Sequence, residues 1–322
     1  MIVSKADILT NKNWNQLLKL KPHLFYDNRF LSYHDVFEKK IKWHHLIFMD
    51  DAKIKTIAIL NGVELSENNK KVHISCEGVS FGGFHFARAQ KISEYMELLE
   101  SYIEYLKANN FKKCIMKLPP AIYYENSSEE YEYAHLHTGF KLAKYSITNI
   151  VDLEYFNFDK LPNPLKRSIH KSNVSGEIKI FENPDDEQIK KIYDILFLDR
   201  SNKNVNVTHT FEELKYLNNN ISEKMVFFGA YFEKKLIGIC LLFIVKPDII
   251  LNFYMAANPL YIKSRISDLI LYRTIEWSKI NKFRIYDIGT SNIDNNFLKG
   301  LFNFKKKFLA DGYLRKTYLL EL

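Results

Sequence analysis

The sequence predicts two similar α/β domains built on mixed sheets, and three observations predict them. The first is an internal repeat. The run Ile103-Glu104-Tyr105-Leu106-Lys107-Ala108-Asn109-Asn110-Phe111-Lys112 is echoed by Ile275-Glu276-Trp277-Ser278-Lys279-Ile280-Asn281-Lys282-Phe283-Arg284, with Phe111 and Phe283 standing 172 positions apart. In each copy a helical stretch runs into a short apolar strand, Cys114-Ile115-Met116 and then Ile285-Tyr286-Asp287-Ile288. A period of about half the chain means duplicated domains rather than a solenoid. The second is length: 322 residues suffice for two domains, each with its own core. The third is aromatic content: 20 Tyr and 24 Phe favour sheet-rich cores and aromatic-lined clefts.

The elements of the second half follow in order. Residues 189–202 have helical spacing through Ile192, Ile195 and Leu196. Thr210 followed by Glu213 reads as a capping box that opens a second helix. Three strands with tight turns come next, over 225–232, 236–245 and 249–255. An irregular stretch at 256–265 leads to a helix over 267–281, a strand at 284–288, a short helix near 297–304 and a last strand at 313–320. Three antiparallel strands, a crossover helix and a further strand make a mixed sheet with a right-handed β-helix-β unit. The first half repeats the plan, with strands at 43–49, 54–65 and 72–81 and a long helix within 84–109. A crossover strand at 114–118, a short helix at 129–137 and a closing strand at 147–153 complete it. Leu161-Pro162-Asn163-Pro164 is punctuation, so the expected domains are 1–160 and 161–322. A short basic helix is expected at 165–172.

Composition narrows the function. A net charge of +8 suits polyanionic partners such as nucleotides, RNA or acidic lipid, or equally a scatter of solvated lysines, since no Lys/Arg block is dense enough to be an arm. The three cysteines, Cys76, Cys114 and Cys240, are widely spaced, sit in apolar contexts and lack metal spacing, which fits buried thiols in a reducing cytoplasm. The N-terminal Met1-Ile2-Val3-Ser4 leads into polar sequence rather than a signal peptide. The strongest apolar run, 236–245, is too short to span a bilayer. His44-His45 would point to opposite faces of a strand, and His135 and His137 are two apart on a helix, so neither pair suggests zinc. No Walker, His-Glu-x-x-His or Gly-x-Ser-x-Gly element occurs. Metal chemistry and DNA binding are not expected.

The C-terminal run Tyr286-Asp287-Ile288-Gly289, then Gly300-Leu301-Phe302-Asn303-Phe304-Lys305-Lys306-Lys307-Phe308, carries a resemblance. It is similar to the Asp-x-Gly strand end, Gly-Leu, Phe-Lys and final Phe of the Fem (FemABX-type) aminoacyltransferases. The strand plan resembles that of the GNAT acyltransferase superfamily, two such domains per chain being the Fem arrangement. The resemblance implies acyl or aminoacyl transfer to an amine of a cell-envelope or sugar-nucleotide precursor. The acceptor would be a nucleotide-linked small molecule, and the donor a charged tRNA or an acyl-CoA.

Such transfer passes through a tetrahedral oxyanion and requires the amine to lose a proton. By the resemblance Lys305 sits at the reacting ester, with Lys306 as the alternative if the register slips by one. Asp287, at a strand's carboxyl end, is the candidate base or else a cap of the following loop. Tyr254 on the preceding strand faces the splay if side chains alternate, or is a core tyrosine. Asn258-Pro259-Leu260-Tyr261-Ile262-Lys263-Ser264-Arg265 stands where a CoA-binding GNAT domain has its glycine-rich turn. It has no glycine, although Lys263 and Arg265 could hold a phosphate as charges. Gly82 and Gly83 lie at the matching point of the first domain, before its helix. Arg167 and Lys171 fall where the Fem family carries basic residues, one helical turn apart. One departure is Met116-Lys117-Leu118-Pro119-Pro120, where Fem enzymes tend to place an acid before the proline. Two alternatives stand beside this reading: an acetyl-CoA-dependent amino-sugar N-acetyltransferase, and a non-catalytic RNA- or precursor-binding descendant.

Overall fold

The structure, a computed structural model, describes residues 1–37, 39–52, 55–75, 77–126, 128–181, 183–293 and 296–322. Cys76, and Ile54 at the start of an expected strand, lie outside the described residues. The chain divides into two units: unit 1 is Met1–Ile147 with Tyr313–Leu322, and unit 2 is Thr148–Gly312.

Unit 1 opens with β1 (Ile2–Lys5) and three helices, α1 (Lys12–Leu20), α2 (Asn28–Leu31) and α3 (Tyr33–Val36). The strands β2 (Leu46–Asp50), β3 (Lys55–Leu60), β4 (Gly62–Glu67), β5 (Lys70–Ser75) and β6 (Phe84–Phe86) follow. Then come α4 (Ile92–Ala108), β7 (Phe111–Lys117), α5 (Glu130–His137) and β8 (Lys141–Asp152), whose last five residues belong to unit 2. The expected strand 54–65 is broken into β3 and β4, which join different sheets. The break falls at Asn61, fully buried with its amide donating to Phe25 O at 2.9 Å. A Cβ on Gly62 would stand 2.3 Å from His73 Nε2, so only glycine lets the backbone pass there. The long helix expected within 84–109 is α4, and the residues ahead of it form a strand that was not expected. Phe84–Phe86 pairs with Ala58–Leu60, and Phe84 is buried against Phe48, Tyr95 and Tyr102, so α4 waits until Ile92. There Glu94 accepts from the Lys91 N–H at 2.9 Å. Trp43–His45 is likewise not a strand; Trp43 makes only an isolated bridge to Val63.

Unit 2 contains α6 (Asn163–Ser175), β9 (Gly176–Phe181), α7 (Asp186–Asn202), α8 (Phe211–Ile221), β10 (Met225–Phe232), β11 (Lys235–Lys246) and β12 (Ile249–Ala257). After these come α9 (Ile266–Ile280), β13 (Ile285–Thr290), the hairpin β14 (Asn292–Ile293) and β15 (Asn296–Phe297), α10 (Lys299–Lys306) and β16 (Asp311–Glu321), most of which lies in unit 1. Strands β9 to β12 are successively antiparallel neighbours in the order β9, β10, β11, β12, and β12 runs parallel to β13. The Asp185–Gln188 and Thr210–Glu213 capping boxes open α7 and α8. One core gathers Ile250, Leu242 and Tyr286 of the sheet with Leu269, Leu271 and Ile275 of α9.

The repeat is structural. α4 ends at Ala108 and α9 at Ile280, and Asn110 (φ 62°) and Lys282 (φ 64°) take the same left-handed turn before each crossover strand. In unit 1 β5 runs parallel to β7 as β12 does to β13. The closing strands are the difference. The expected closing strand of the first half, 147–153, pairs with β13 of unit 2, while the chain's last strand pairs with β7 of unit 1. Alternating apolar residues specify that a segment is a strand but not which partner it takes.

Candidate functional site

Parallel pairing of β12 with β13 covers only Ile249–Leu251 against Ile285–Asp287, and the strands then part. On its other side β12 passes from Leu242↔Asn252 to Leu241↔Tyr254, leaving Phe253 unopposed. This β-bulge reverses the alternation, so Asn252 and Tyr254 face opposite sides of the sheet. Asn252 turns toward α9, its amide donating to the Tyr286 hydroxyl at 3.0 Å, with Thr274 Oγ1 2.7 Å from the same hydroxyl. Tyr254 turns instead to the loop between α7 and α8. Its oxygen accepts from the His209 backbone N–H at 3.1 Å and lies 2.9 Å from His209 Nδ1. Burial pushes the Tyr254 phenol up to about 12, so it is a neutral hydrogen-bond donor at physiological pH.

Beyond the last parallel pair, Asp287 is fully buried. Its Oδ1 accepts from Thr148 Oγ1 at 2.6 Å and from the Gly289 N–H at 2.7 Å. Gly289 has φ +87°, a left-handed conformation that a side chain would strain. Lys305, 5% exposed on the last turn of α10, donates to Gly289 O at 2.9 Å and to Thr290 O at 2.7 Å. Asp287 and Lys305 therefore grip the N–H and the carbonyl of the same glycine. Lys306, by contrast, is exposed and paired with Asp311 at 2.6 Å.

At the start of α9, Arg265 is left-handed (φ +54°), and both Lys263 and Arg265 are exposed. α6 docks there: Ser168 Oγ donates to Asp268 in the first turn of α9, and Ser172 Oγ donates to Ser264 O at 2.8 Å. Arg167 and Lys171, each next to one of these serines, are exposed at the same helix end. Gly82 and Gly83 belong to unit 1 and precede β6 rather than a helix, which corrects their expected placement. Gly82 N–H donates to Lys117 O at 2.8 Å, and Gly83 O accepts from the Tyr26 hydroxyl at 2.6 Å. A Cβ on Gly83 would lie 2.8 Å from Leu118 Cδ2, so this turn is one of close packing. Among the described residues no three His, Cys, Asp or Glu side chains converge as metal ligands.

Sequence reasoning missed His209 and Thr148. His209 precedes the Thr210 cap in the loop between α7 and α8, and its link to Tyr254 spans 45 residues. Thr148 reaches Asp287 across 139 residues, a pairing with no local signature.

No family model and no curated protein matches this sequence. Solved structures do match. FemX superposes with a TM-score of 0.71 at 11% identity, over 100% of this chain and 98% of that one. The chain has the tandem GNAT fold of FemX. L-PGS from Bacillus licheniformis matches with a TM-score of 0.62 at 12% identity, covering 100% of this chain and 93% of that one. A tandem GNAT protein from the clavulanic acid biosynthesis pathway gives a TM-score of 0.56 at 9% identity, covering 99% and 98%. Within this FemX-like fold, Asn252, Asp287 and Lys305 are buried polar side chains beside the parting of β12 from β13. No helix among the described residues is long and apolar enough to cross a membrane.

Proposed function

We propose that this chain is an N-acyltransferase of the aminoacyl type, acting on an amine of a cell-envelope or sugar-nucleotide precursor in the cytoplasm, with its chemistry in unit 2. The observation that carries the reading is the buried Lys305 ammonium held on the Gly289–Thr290 turn where β12 and β13 part. An amine attacking an ester carbonyl places negative charge on the carbonyl oxygen, and a fixed cation in a site shielded from water stabilises that charge more than it could in bulk solvent. The new C–N bond replaces the ester C–O bond, and the amine's proton ends on the departing alkoxide. Asp287 fixes the turn that presents Lys305 and is the carboxylate at the strand end. Tyr254, oriented by His209, supplies a neutral O–H at the opposite strand. Positioning and charge, without a covalent enzyme intermediate, would carry the rate.

Arg167, Lys171, Lys263 and Arg265 at the start of α9 would take the phosphates of a nucleotide-linked substrate or of tRNA. Acetyl-CoA is the second reading, favoured by those charges. It is disfavoured by Asp268, whose carboxylate occupies the first turn of α9 where a pyrophosphate would bind. A thermal-shift series with CoA, acetyl-CoA, uridine-diphosphate sugars and tRNA tests the choice. Stabilisation by a uridine-diphosphate sugar and by tRNA is expected. Stabilisation by CoA alone would remove the aminoacyl reading, and no shift with any of them would favour a non-catalytic binding protein.

A further inference from the structure

A cavity of about 440 Å³ opens in unit 1 beside β1, α2 and α3, and none of its lining residues belongs to the transferase site above. Its floor is buried: Ala6, Ile8, Leu31 and His45. Its rim carries the exposed Lys5, Asp7 and Asp35. Trp43 forms a wall, stacked on His45 with centroids 4.9 Å apart and planes at 21°, and its indole N–H donates to both Asp35 oxygens at 2.9 and 3.1 Å.

Two donors in this lining, one buried and one exposed, have no side-chain acceptor among the described residues. His45 Nδ1 accepts the Gly62 N–H at 3.3 Å, which puts the proton of the neutral ring on Nε2. Burial keeps that ring neutral, holding its pKa near 3. Nε2 is buried and has no hydrogen-bond partner among the described residues, a costly arrangement unless a ligand accepts from it. Lys5 forms no ion pair among the described residues, and it is the neighbour of Ala6, whose N–H donates to His45 O at 2.8 Å.

The chemistry of the lining selects among ligands by elimination. A simple carboxylate would satisfy Lys5 and His45 but face two aspartates. A simple amine would suit the aspartates and leave both donors unmet. A purely apolar molecule would answer neither charge. We propose that the cavity binds a free α-amino acid with an apolar side chain. Its carboxylate bridges Lys5 and His45, its ammonium meets Asp35, and its side chain lies on Ile8, Leu31 and Trp43. The volume falls in the range of ordinary small-molecule sites, roughly 300–1,000 Å³. This binding is independent of the transfer chemistry.

Calorimetric titration of the full chain with L-leucine, L-methionine and L-phenylalanine tests it, with N-acetyl-leucine and leucine amide each lacking one charge. At least one amino acid should bind saturably with Kd of about 1 mM or tighter. The two derivatives should each bind about tenfold more weakly or worse. Lys5→Ala and Asp35→Asn, both at exposed positions, should each weaken binding about tenfold. Their unliganded melting midpoints should match the parent's, which separates lost binding from lost folding. Absence of saturable heat for all three amino acids would overturn the proposal. Equal binding of leucine and its two derivatives would also overturn it, because the site would then be reading apolar bulk alone.

Discussion

In unit 1 the parallel pair β5–β7 ends at Ser75 and Met116, and the chain beyond β5 stays close by, its Gly82 N–H bonded to Lys117 O. Phe81 packs edge-on against Tyr123 and Phe25, with ring centroids 4.8 and 5.0 Å away, and Leu118 is buried beside Gly83. In unit 2 the equivalent pair ends at Leu251 and Asp287. Past those ends lie a bulge, a left-handed glycine and the buried Lys305, Tyr254 and His209, with Asp287 itself buried at the strand end. At the repeat spacing of 172, Asp287 answers to Ile115. One scaffold thus serves twice: in unit 1 the strand end is filled by the aromatic cluster around Phe81, with His23 edge-on and the Arg315 guanidinium over the ring, while in unit 2 it holds Asp287 and Lys305 bonded to one turn. The fold supplies an opening, while a bulge and a few polar substitutions decide whether chemistry can occupy it.

Mutations at the two strand ends should have different effects. The largest stability effect should be in unit 1: Phe81→Ala should cost about 3–5 kcal/mol, read from denaturant unfolding, with transfer activity of the folded fraction unchanged. A loss of activity beyond the loss of folded protein would put chemistry in the wrong copy. Asp287→Ala should cost about 2–4 kcal/mol, since the Thr148 hydroxyl and Gly289 N–H lose their acceptor together, whereas Asp287→Asn should lose less because an amide oxygen can still accept. Equal melting midpoints for the two variants would show that Asp287 does not hold the turn.

Acid should separate the units as well. Burial holds His44 and His135 near 4 and His45 and His73 near 3, all in unit 1 and all below the ordinary 6.5. The unfolded chain therefore takes up protons that the folded unit refuses. Stability is full above about pH 6.5 and falls as pH drops through 6.5 toward 3–4. A Trp277→Phe variant leaves Trp14 and Trp43 as fluorescent reporters of unit 1, and they should register unfolding before the melting of α9 is seen by hydrogen exchange. Simultaneous transitions would count against a histidine-borne weakness in unit 1. The smallest effect should come from Tyr254→Phe, about 1 kcal/mol in stability, since His209 loses one partner while the ring stays packed. An unchanged midpoint would mean that the Tyr254–His209 contact is incidental.

Much of this was legible in the sequence. The repeat at Phe111 and Phe283 announced the two crossover units, and the capping boxes at Asp185 and Thr210 sit where polar residues meet apolar periodicity. Asp287 and Lys305 could be singled out, yet nothing local said that both would close on Gly289. The exchange of closing strands was hidden because Ile150, Val151 and Tyr318 are apolar in a way that suits either partner strand. The bulge at Phe253 was hidden too, since strict alternation would have turned Tyr254 to the face of Asn252. Register and partner choice are long-range decisions, made by packing after local patterns are satisfied.

The most direct test is transfer to a uridine-diphosphate-linked amine, monitored by product mass with a mixture of aminoacyl-tRNAs or with acetyl-CoA as donor, in the parent protein, Lys305→Ala and Phe81→Leu. The parent should form product with aminoacyl-tRNA. Lys305→Ala should slow it about 10²–10³-fold, as removal of a fixed oxyanion donor does, and Phe81→Leu should leave the rate within about twofold for a modest apolar change. Full activity in folded Lys305→Ala would contradict the assignment of chemistry to unit 2.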